Sequence, residues 1–262
     1  MKVLFVANDP GLLVKGSSVH MRMKTYAAAI GTLHIVTASK EVIELHEGSL
    51  HIYGVACTKL SRVRALAQKA QELIRQEGIE VVSAQDPFEH GLAAQRAVRG
   101  TKAKLHIQVH TDFLSPWFVR ASPFPLSLLN VIRVRIAGRV LPNASGIRVV
   151  SERISASLTN QYGARIPAPQ VIAIQVASKV PEPVPLPAHS FSFALITVGR
   201  IEPEKRIKEI ILALNLVRDT CPQVGLIVVG KGTELGRLQK QVASLHLEDR
   251  MVFTNEWRTD AW

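Results

Sequence analysis

Seven residues divide this chain. In Pro181-Glu-Pro-Val-Pro-Leu-Pro187 a proline stands at every second position. Each ring fixes φ and removes a backbone donor, so the stretch can neither continue a helix nor pair as an inner strand; it reads as an extended linker. On both sides of it short apolar runs alternate with helical patterns, which is the grammar of parallel sheets wound with helices.

Before the linker the strand candidates are Lys2–Ala7, Leu33–Ala38, His51–Val55, Val81–Gln85, Leu105–His110, Gly146–Val150 and Val171–Gln175. The helical patterns between them are clearest at about Val19 to Ile30 and over Ser61–Gln76, where Val63, Leu66, Ala67, Ala70, Leu73 and Ile74 share one face. After the linker the rhythm restarts with strand Phe193–Val198, helix Ile207–Arg218, strand Val224–Val229, helix Thr233–Leu245 and strand Arg250–Thr254. Three strands are few for a domain of this class, which usually runs to about 100–150 residues. The expectation is therefore an α/β chain with a first domain over 1–180, a linker over 181–192 and a second, incomplete domain over 193–262.

Charge separates the two parts further. Residues 1–180 carry 22 Lys and Arg against 11 Asp and Glu, whereas residues 181–262 carry ten of each, so the whole net charge of +11 lies in the first part. Between Phe113 and Lys179 eight basic residues face Glu152 alone. Such a field draws diphosphates, acidic headgroups or nucleic acid, and equally describes a well-solvated basic surface. No nucleic-acid-binding motif accompanies it, and aromatic residues make up 5% of the chain, so nucleic acid is not expected as a partner. Cys57 and Cys221 have no partner Cys or His at ligand spacing, which argues against a disulfide framework or zinc site. The apolar run at the amino terminus is too short for a signal-peptide core, and no stretch is long enough to span a bilayer. A cytoplasmic chain is expected.

Open parallel sheets bind ligands at the carboxyl ends of their strands. After the first strand stand Lys15-Gly16-Ser17-Ser18, where glycine allows close approach, serine caps the next helix and the helix N-terminus favours an anion; an ordinary loop and cap has the same composition. In the second domain Arg200 ends a strand and Lys205 is expected in the first turn of the next helix, two cations suited to a diphosphate. The alternative is a charged, solvated helix start. Val228-Val-Gly-Lys-Gly-Thr-Glu234 is not a P-loop, because Gly232 follows Lys231 where Ser or Thr is required.

Three elements in order, Val198-Gly-Arg-Ile-Glu-Pro-Glu-Lys205, Val229-Gly-Lys-Gly-Thr-Glu-Leu235 and Asp249-Arg-Met-Val-Phe253, resemble the donor-domain signature of family-4 retaining glycosyltransferases. The loop at Gly16 followed by His20, Gln85-Asp-Pro-Phe-Glu-His-Gly91 and Gln108-Val-His-Thr-Asp112 are similar to that family's acceptor domain. The resemblance implies the GT-B fold, two Rossmann-like doubly wound domains, the first on the acceptor side and the second binding a nucleotide sugar. It implies that Arg200 and Lys205 bind the donor diphosphate, that the Gly16 backbone closes over the same phosphates, that Gly230 and Gly232 turn near the nucleotide, and that His110 lies at the reacting centre. No metal or cofactor is implied, the nucleoside-diphosphate sugar being a substrate. Read from the residues alone, His110 is equally a lone histidine bonded in a loop.

Two departures from the family pattern matter. Lys15 stands where a first of two glycines is usual, and the paired glutamates that hold ribose and sugar fall beyond Trp262; Glu234 and Glu256 do not replace them. A truncated, non-catalytic fragment is thus one alternative, and a sugar-nucleotide epimerase of the same architecture another. The acceptor is expected to be a glycan or a lipid-linked group. Pro116-Trp-Phe and the run from Pro123 to Arg139 mix aromatic, aliphatic and arginine residues, as suits peripheral contact at the inner face of a membrane, or equally the two faces of internal helices.

Overall fold

The computed structural model describes residues 1–120, 124–174 and 185–255. It divides into two compact units, Met1–Gln175 and Val176–Trp262. Pro123, Gln175, Lys179, Pro181 to Val184, Glu256 and Trp262, named above, lie outside the described residues.

The first unit is built on an eight-stranded sheet in the order β3-β4-β2-β1-β5-β6-β7-β8. Its strands are β1 (Lys2–Ala7), β2 (Thr32–Ser39), β3 (Ile43–Glu47), β4 (Leu50–Ala56), β5 (Val81–Ala84), β6 (Lys104–Val109), β7 (Gly146–Val149) and β8 (Gln170–Val171). All pair in parallel except β3, which runs antiparallel to β4. β1 lies between β2 and β5, with Val3 opposite both Leu33 and Val81. Chain order runs outward from β1 to one side and then, from β5, to the other, so the switch point lies between β1 and β5.

Helices cover both faces, as the alternation of apolar runs requires. On one, α1 (Ser18–Ile30) buries Met23 and Ala27 against Val3, Leu33, Ile35 and Ile52. On the other, α2 (Arg62–Glu77), α3 (Glu89–Val98), α5 (Leu126–Val140) and α6 (Glu152–Tyr162) enclose the larger core with Leu4, Val82, Ile107 and Val149. A short helix, α4 (Trp117–Arg120), precedes α5. Where β5 to β8 present their second face, a polar chain replaces apolar packing. Ser83 Oγ lies 2.8 Å from His106 Nδ1, Gln108 donates to Ser83 Oγ at 3.1 Å, and Arg148 donates to Gln108 Oε1 at 3.1 Å and to the Ile172 carbonyl at 3.0 Å. Each member satisfies the next, which is what a partly buried polar row needs.

That last bond corrects one expectation. The strand anticipated from Val171 onward ends at Val171, and the Arg148 guanidinium binds the carbonyl of Ile172, the next residue. The edge strand β3 was not anticipated from the sequence; its alternating pattern and the turn at Gly48, with φ of 61°, form a hairpin with β4.

The second unit has a three-stranded parallel sheet, β9 (Phe193–Val198), β10 (Val224–Val229) and β11 (Met251–Phe253), with β10 central. Helices α7 (Ile207–Val217) and α8 (Leu235–Ser244) bury Ile207, Ile211, Leu214, Leu238 and Val242 against Leu226, Val228 and Met251. Phe193, Leu195, Ile196 and Val198 of β9 are exposed.

The first unit also contains a histidine row. His34 on β2 is opposite His51 on β4, which is opposite His46 on β3. The His34 and His51 rings stack with centroids 4.8 Å apart. Burial, then the neighbouring His51, lowers the His34 pKa to about 4, Glu77 opposing. Protons are therefore taken up on unfolding between about pH 6.5 and pH 4, so the stability this neutral imidazole permits is present above that window and lost as pH falls through it. Denaturant midpoints measured at pH 7 and pH 5 should fall for the wild type and fall less for His34→Phe.

Candidate active site

In the first unit the loop after β1 is built by its own polar groups. Asp9 Oδ1 accepts from Gly11 N–H at 2.9 Å and starts a 3-10 turn over Pro10–Leu13. Ser17 accepts from His20 N–H at 3.1 Å, capping α1, and its hydroxyl donates to the Gly11 carbonyl at 2.5 Å. Gly16 stands just before this cap with φ of 78°, and a Cβ there would meet nothing within 4 Å. Backbone conformation, rather than lack of space, thus favours glycine, and the peptide is open to a ligand beside the positive end of α1.

The end of β5 lies on the other side of the switch point. There Asp86 Oδ1 accepts from Phe88 N–H at 2.7 Å, and Oδ2 is paired with His90 Nδ1. Burial raises the Asp86 pKa, but the hydrogen bond and charge of His90 and the backbone donors outweigh it, and the net shift is downward. Glu89 meets Arg133 of α5 at 3.0 Å. The aspartate and histidine four residues apart within Gln85 to Gly91 are a pair that the sequence reading did not single out. His110 follows β6 directly, and its side chain is exposed. Desolvation and then Arg148 lower its pKa, with Asp86 opposing, which keeps the ring neutral at neutral pH.

In the second unit Arg200 follows Gly199 at the carboxyl end of β9. Its guanidinium donates to Glu204 at 2.8 Å, an exposed pair. Lys205 is not in the first turn of a helix. Pro203 opens a 3-10 turn over Pro203–Lys205, Arg206 closes it with a left-handed φ of 54°, and α7 begins at Ile207. This turn folds the lysine back: its Cε lies 3.9 Å from where a Cβ on Gly199 would be. Arg200 and Lys205 are accordingly gathered at one strand end.

Gly230 and Gly232 hold that strand end in place. A Cβ on Gly230 would come within 2.0 Å of the Gly199 carbonyl oxygen, and one on Gly232 within 2.1 Å of the Ile201 carbonyl oxygen. Ile201 N–H donates to the Lys231 carbonyl at 2.8 Å across this contact. Glu202 fastens it from outside, accepting from Thr233 Oγ1 at 2.7 Å and from Thr233 N–H at 3.2 Å, bonds that lower its pKa. Sequence distance concealed this latch, since its partners are 31 residues apart.

A cavity of about 640 Å³ lined by Met1, Ile79, Glu80 and Lys104 lies at the opposite, amino ends of β1, β5 and β6, away from all these groups. Among the described residues no three His, Cys, Asp or Glu side chains are grouped to hold a metal ion.

The family model described as Glycosyltransferase Family 4 matches residues 27–174, more than half of the chain. The chain belongs to that family. A second model, Glycosyl transferases group 1, matches residues 188–261 of this family-4 chain. Comparison with curated proteins gives no sequence match. Among solved structures, HepE of Anabaena in complex with UDP is 17% identical, with a TM-score of 0.62 over 99% of this chain and 70% of its own. The apo lipopolysaccharide outer core galactosyltransferase WaaB is 14% identical, with a TM-score of 0.61 over 100% of this chain and 70% of its own. The α,α-trehalose 6-phosphate synthase of Burkholderia multivorans is 10% identical, with a TM-score of 0.67 over 99% and 74%. The family-4 chain has the GT-B type of α/β fold.

The glycine contacts make a direct test of how the strand end is held. Gly232→Ala places a methyl group on the Ile201 carbonyl, and overpacking of this kind costs about 1–3 kcal/mol. Urea unfolding of the variant should show that loss, whereas Gly236→Ala, where an added Cβ meets nothing within 4 Å, should not.

Proposed function

We propose that this glycosyltransferase chain supplies the groups that move a hexose from a nucleoside-diphosphate donor to an acceptor hydroxyl with retention of anomeric configuration. The reading is carried by the gathering of Arg200 and Lys205 at the carboxyl end of β9. Charge develops on the diphosphate as the sugar leaves, and two fixed cations stabilise it without a metal ion. The Arg200–Glu204 pair is exposed, so exchanging the carboxylate for a phosphate costs little. Gly16 offers open backbone to a donor phosphate beside the positive end of α1. His110, neutral at neutral pH, suits hydrogen bonding to a sugar hydroxyl. Gly230 and Gly232 serve the nucleotide end by keeping the Arg200 loop close to β10. The UDP bound in the HepE structure is a ligand of the chemistry proposed. Arg200→Ala or Lys205→Ala should lower turnover about 10²–10³-fold, measured as nucleoside-diphosphate release with acceptor present, with the melting temperature unchanged. Wild-type turnover in both variants removes the clamp.

The acceptor proposed is a glycan or lipid-linked group of the cell envelope, reached at the inner face of a membrane. Trp117 and Phe124 are 69% and 81% exposed, and Leu128 and Ile132 on α5 are also exposed beside Arg120, Arg135 and Arg139. No acid occurs from Phe113 to Ser151. Apolar residues over a basic face favour an anionic bilayer surface. Among the described residues no helix is long and apolar enough to cross a membrane. Vesicles containing acidic lipid should sediment the chain, and Trp117→Ser with Phe124→Ser should leave it in the supernatant; equal recovery with neutral and acidic vesicles ends the membrane reading.

A further inference from the structure

The edge strand β3 meets β4 through an imidazole pair. His46 and His51 are opposite each other in the antiparallel register, and their Nδ1 atoms lie 3.0 Å apart. His34 of β2 stacks on His51, with its Nδ1 3.5 Å from the Tyr53 hydroxyl and its buried Nε2 without a hydrogen-bond partner. The row thus runs from a ring that is 2% exposed to one at the open edge of the sheet. Charged groups face it from every packed element. Glu44 Oε2 lies 3.7 Å from His46 Nε2 on β3 itself, Lys2 of β1 and Glu77 of α2 act on His34, and Glu77 also acts on His51. Lys69 of α2 reaches Glu44 at 3.7 Å and Glu72 at 2.9 Å, and lies over the Tyr53 ring.

Two imidazoles share a hydrogen bond only if one ring presents an N–H and the other a lone pair. Neutral rings satisfy this by choice of tautomer, and one added proton makes the bond charge-assisted. A second proton leaves no acceptor, so that two N–H groups and two positive charges meet at 3.0 Å. Burial, then His46, lowers the His51 pKa from the ordinary 6.5, with Glu77 opposing. The paired strand is therefore favoured above about pH 6.5 and loses that advantage as pH falls toward the lowered value. The other face of β3 behaves differently. There the Lys24 hydrogen bond at 2.9 Å, with burial opposing and His20 adding, holds the Glu47 carboxyl down to about 2, and Lys15 lies 3.6 Å away. Glu47 stays ionised through the whole histidine range.

We propose that β3 is an acid-released edge strand, latched to β4 by the His46–His51 contact, which holds while no more than one of the two rings is protonated and fails when both are. Release starts at the Ile43 end, because Glu47 keeps its basic partners at the turn end. It leaves β4 as the border of the sheet, an unpaired edge that the covered strand did not present. His34 remains on β2 beside His51, neutral down to about pH 4.

Amide hydrogen exchange of the full chain, followed by mass spectrometry at pH 7 and pH 5 and corrected for intrinsic rates, tests this. Protection of peptides from the β3–β4 hairpin should fall about tenfold between the two pH values, the scale of one imidazole that gains its proton only in the open state. Peptides from β5 and β6 should keep theirs. His51→Gln should abolish the difference, since the second proton then has no site. His46→Gln should do the same, because its amide can turn either an N–H or an oxygen to His51. Equal hairpin protection at both pH values in the wild type overturns the proposal. So does a loss shared equally by β5 and β6, which assigns the proton uptake to global unfolding. If His51→Gln does not fold, His46→Gln decides: a tenfold loss that persists in it overturns the latch.

Discussion

Parallel pairing of β1 with β2 on one side and β5 on the other decides where chemistry can occur in the first unit. Because inner strands run the same way, their carboxyl ends share one edge, and chain order reverses beside β1. The Gly16 loop and the Asp86–His90 pair follow the two strands at that reversal. His110 follows the next strand outward. None of these residues needs its own scaffold, since apolar contacts of α1 to α3 with the sheet fix the strands and the strands deliver the loops.

The second unit solves the same problem with less material. Three strands and two helices leave little core, and the loop bearing Arg200 lies directly on the loop after β10. That contact exists because two residues lack side chains, and the Glu202–Thr233 bonds close it. Placement of the charged groups thus depends on a backbone-to-backbone approach, a geometry with few alternatives.

Much of this was legible in the sequence. Apolar runs such as Leu33–Ala38 and Val224–Val229 mark their strands to within about a residue at each end, because a buried parallel strand leaves an unbroken apolar signature. That His110 and Arg200 stand just past strand ends, and Gly16 in the loop after the first strand, followed from that grammar. What stayed hidden was set by partners distant in the chain or by unusual backbone. β3 alternates charged and apolar residues as a half-exposed edge does, with no run to mark it. Lys205 was placed in a helix because nothing in an arginine announces the left-handed conformation of Arg206. The apolar residues around Trp117 and Ile132 read equally as interior or surface, since composition does not state which way a helix is turned. Glu47 at the end of β3 had no local signal for its ion pairs with Lys15, His20 and Lys24, which lie on a loop and helix met earlier in the chain.

The outermost strand of the smaller sheet has a consequence of its own. β9 pairs with β10 along one side, no strand borders the other among the described residues, and Phe193, Leu195, Ile196 and Val198 are uncovered. An unguarded apolar border of that kind is a ready template for adding a foreign strand. Concentrated solutions of this polypeptide would then tend to associate through that border, and a charged residue introduced there would act as a gatekeeper.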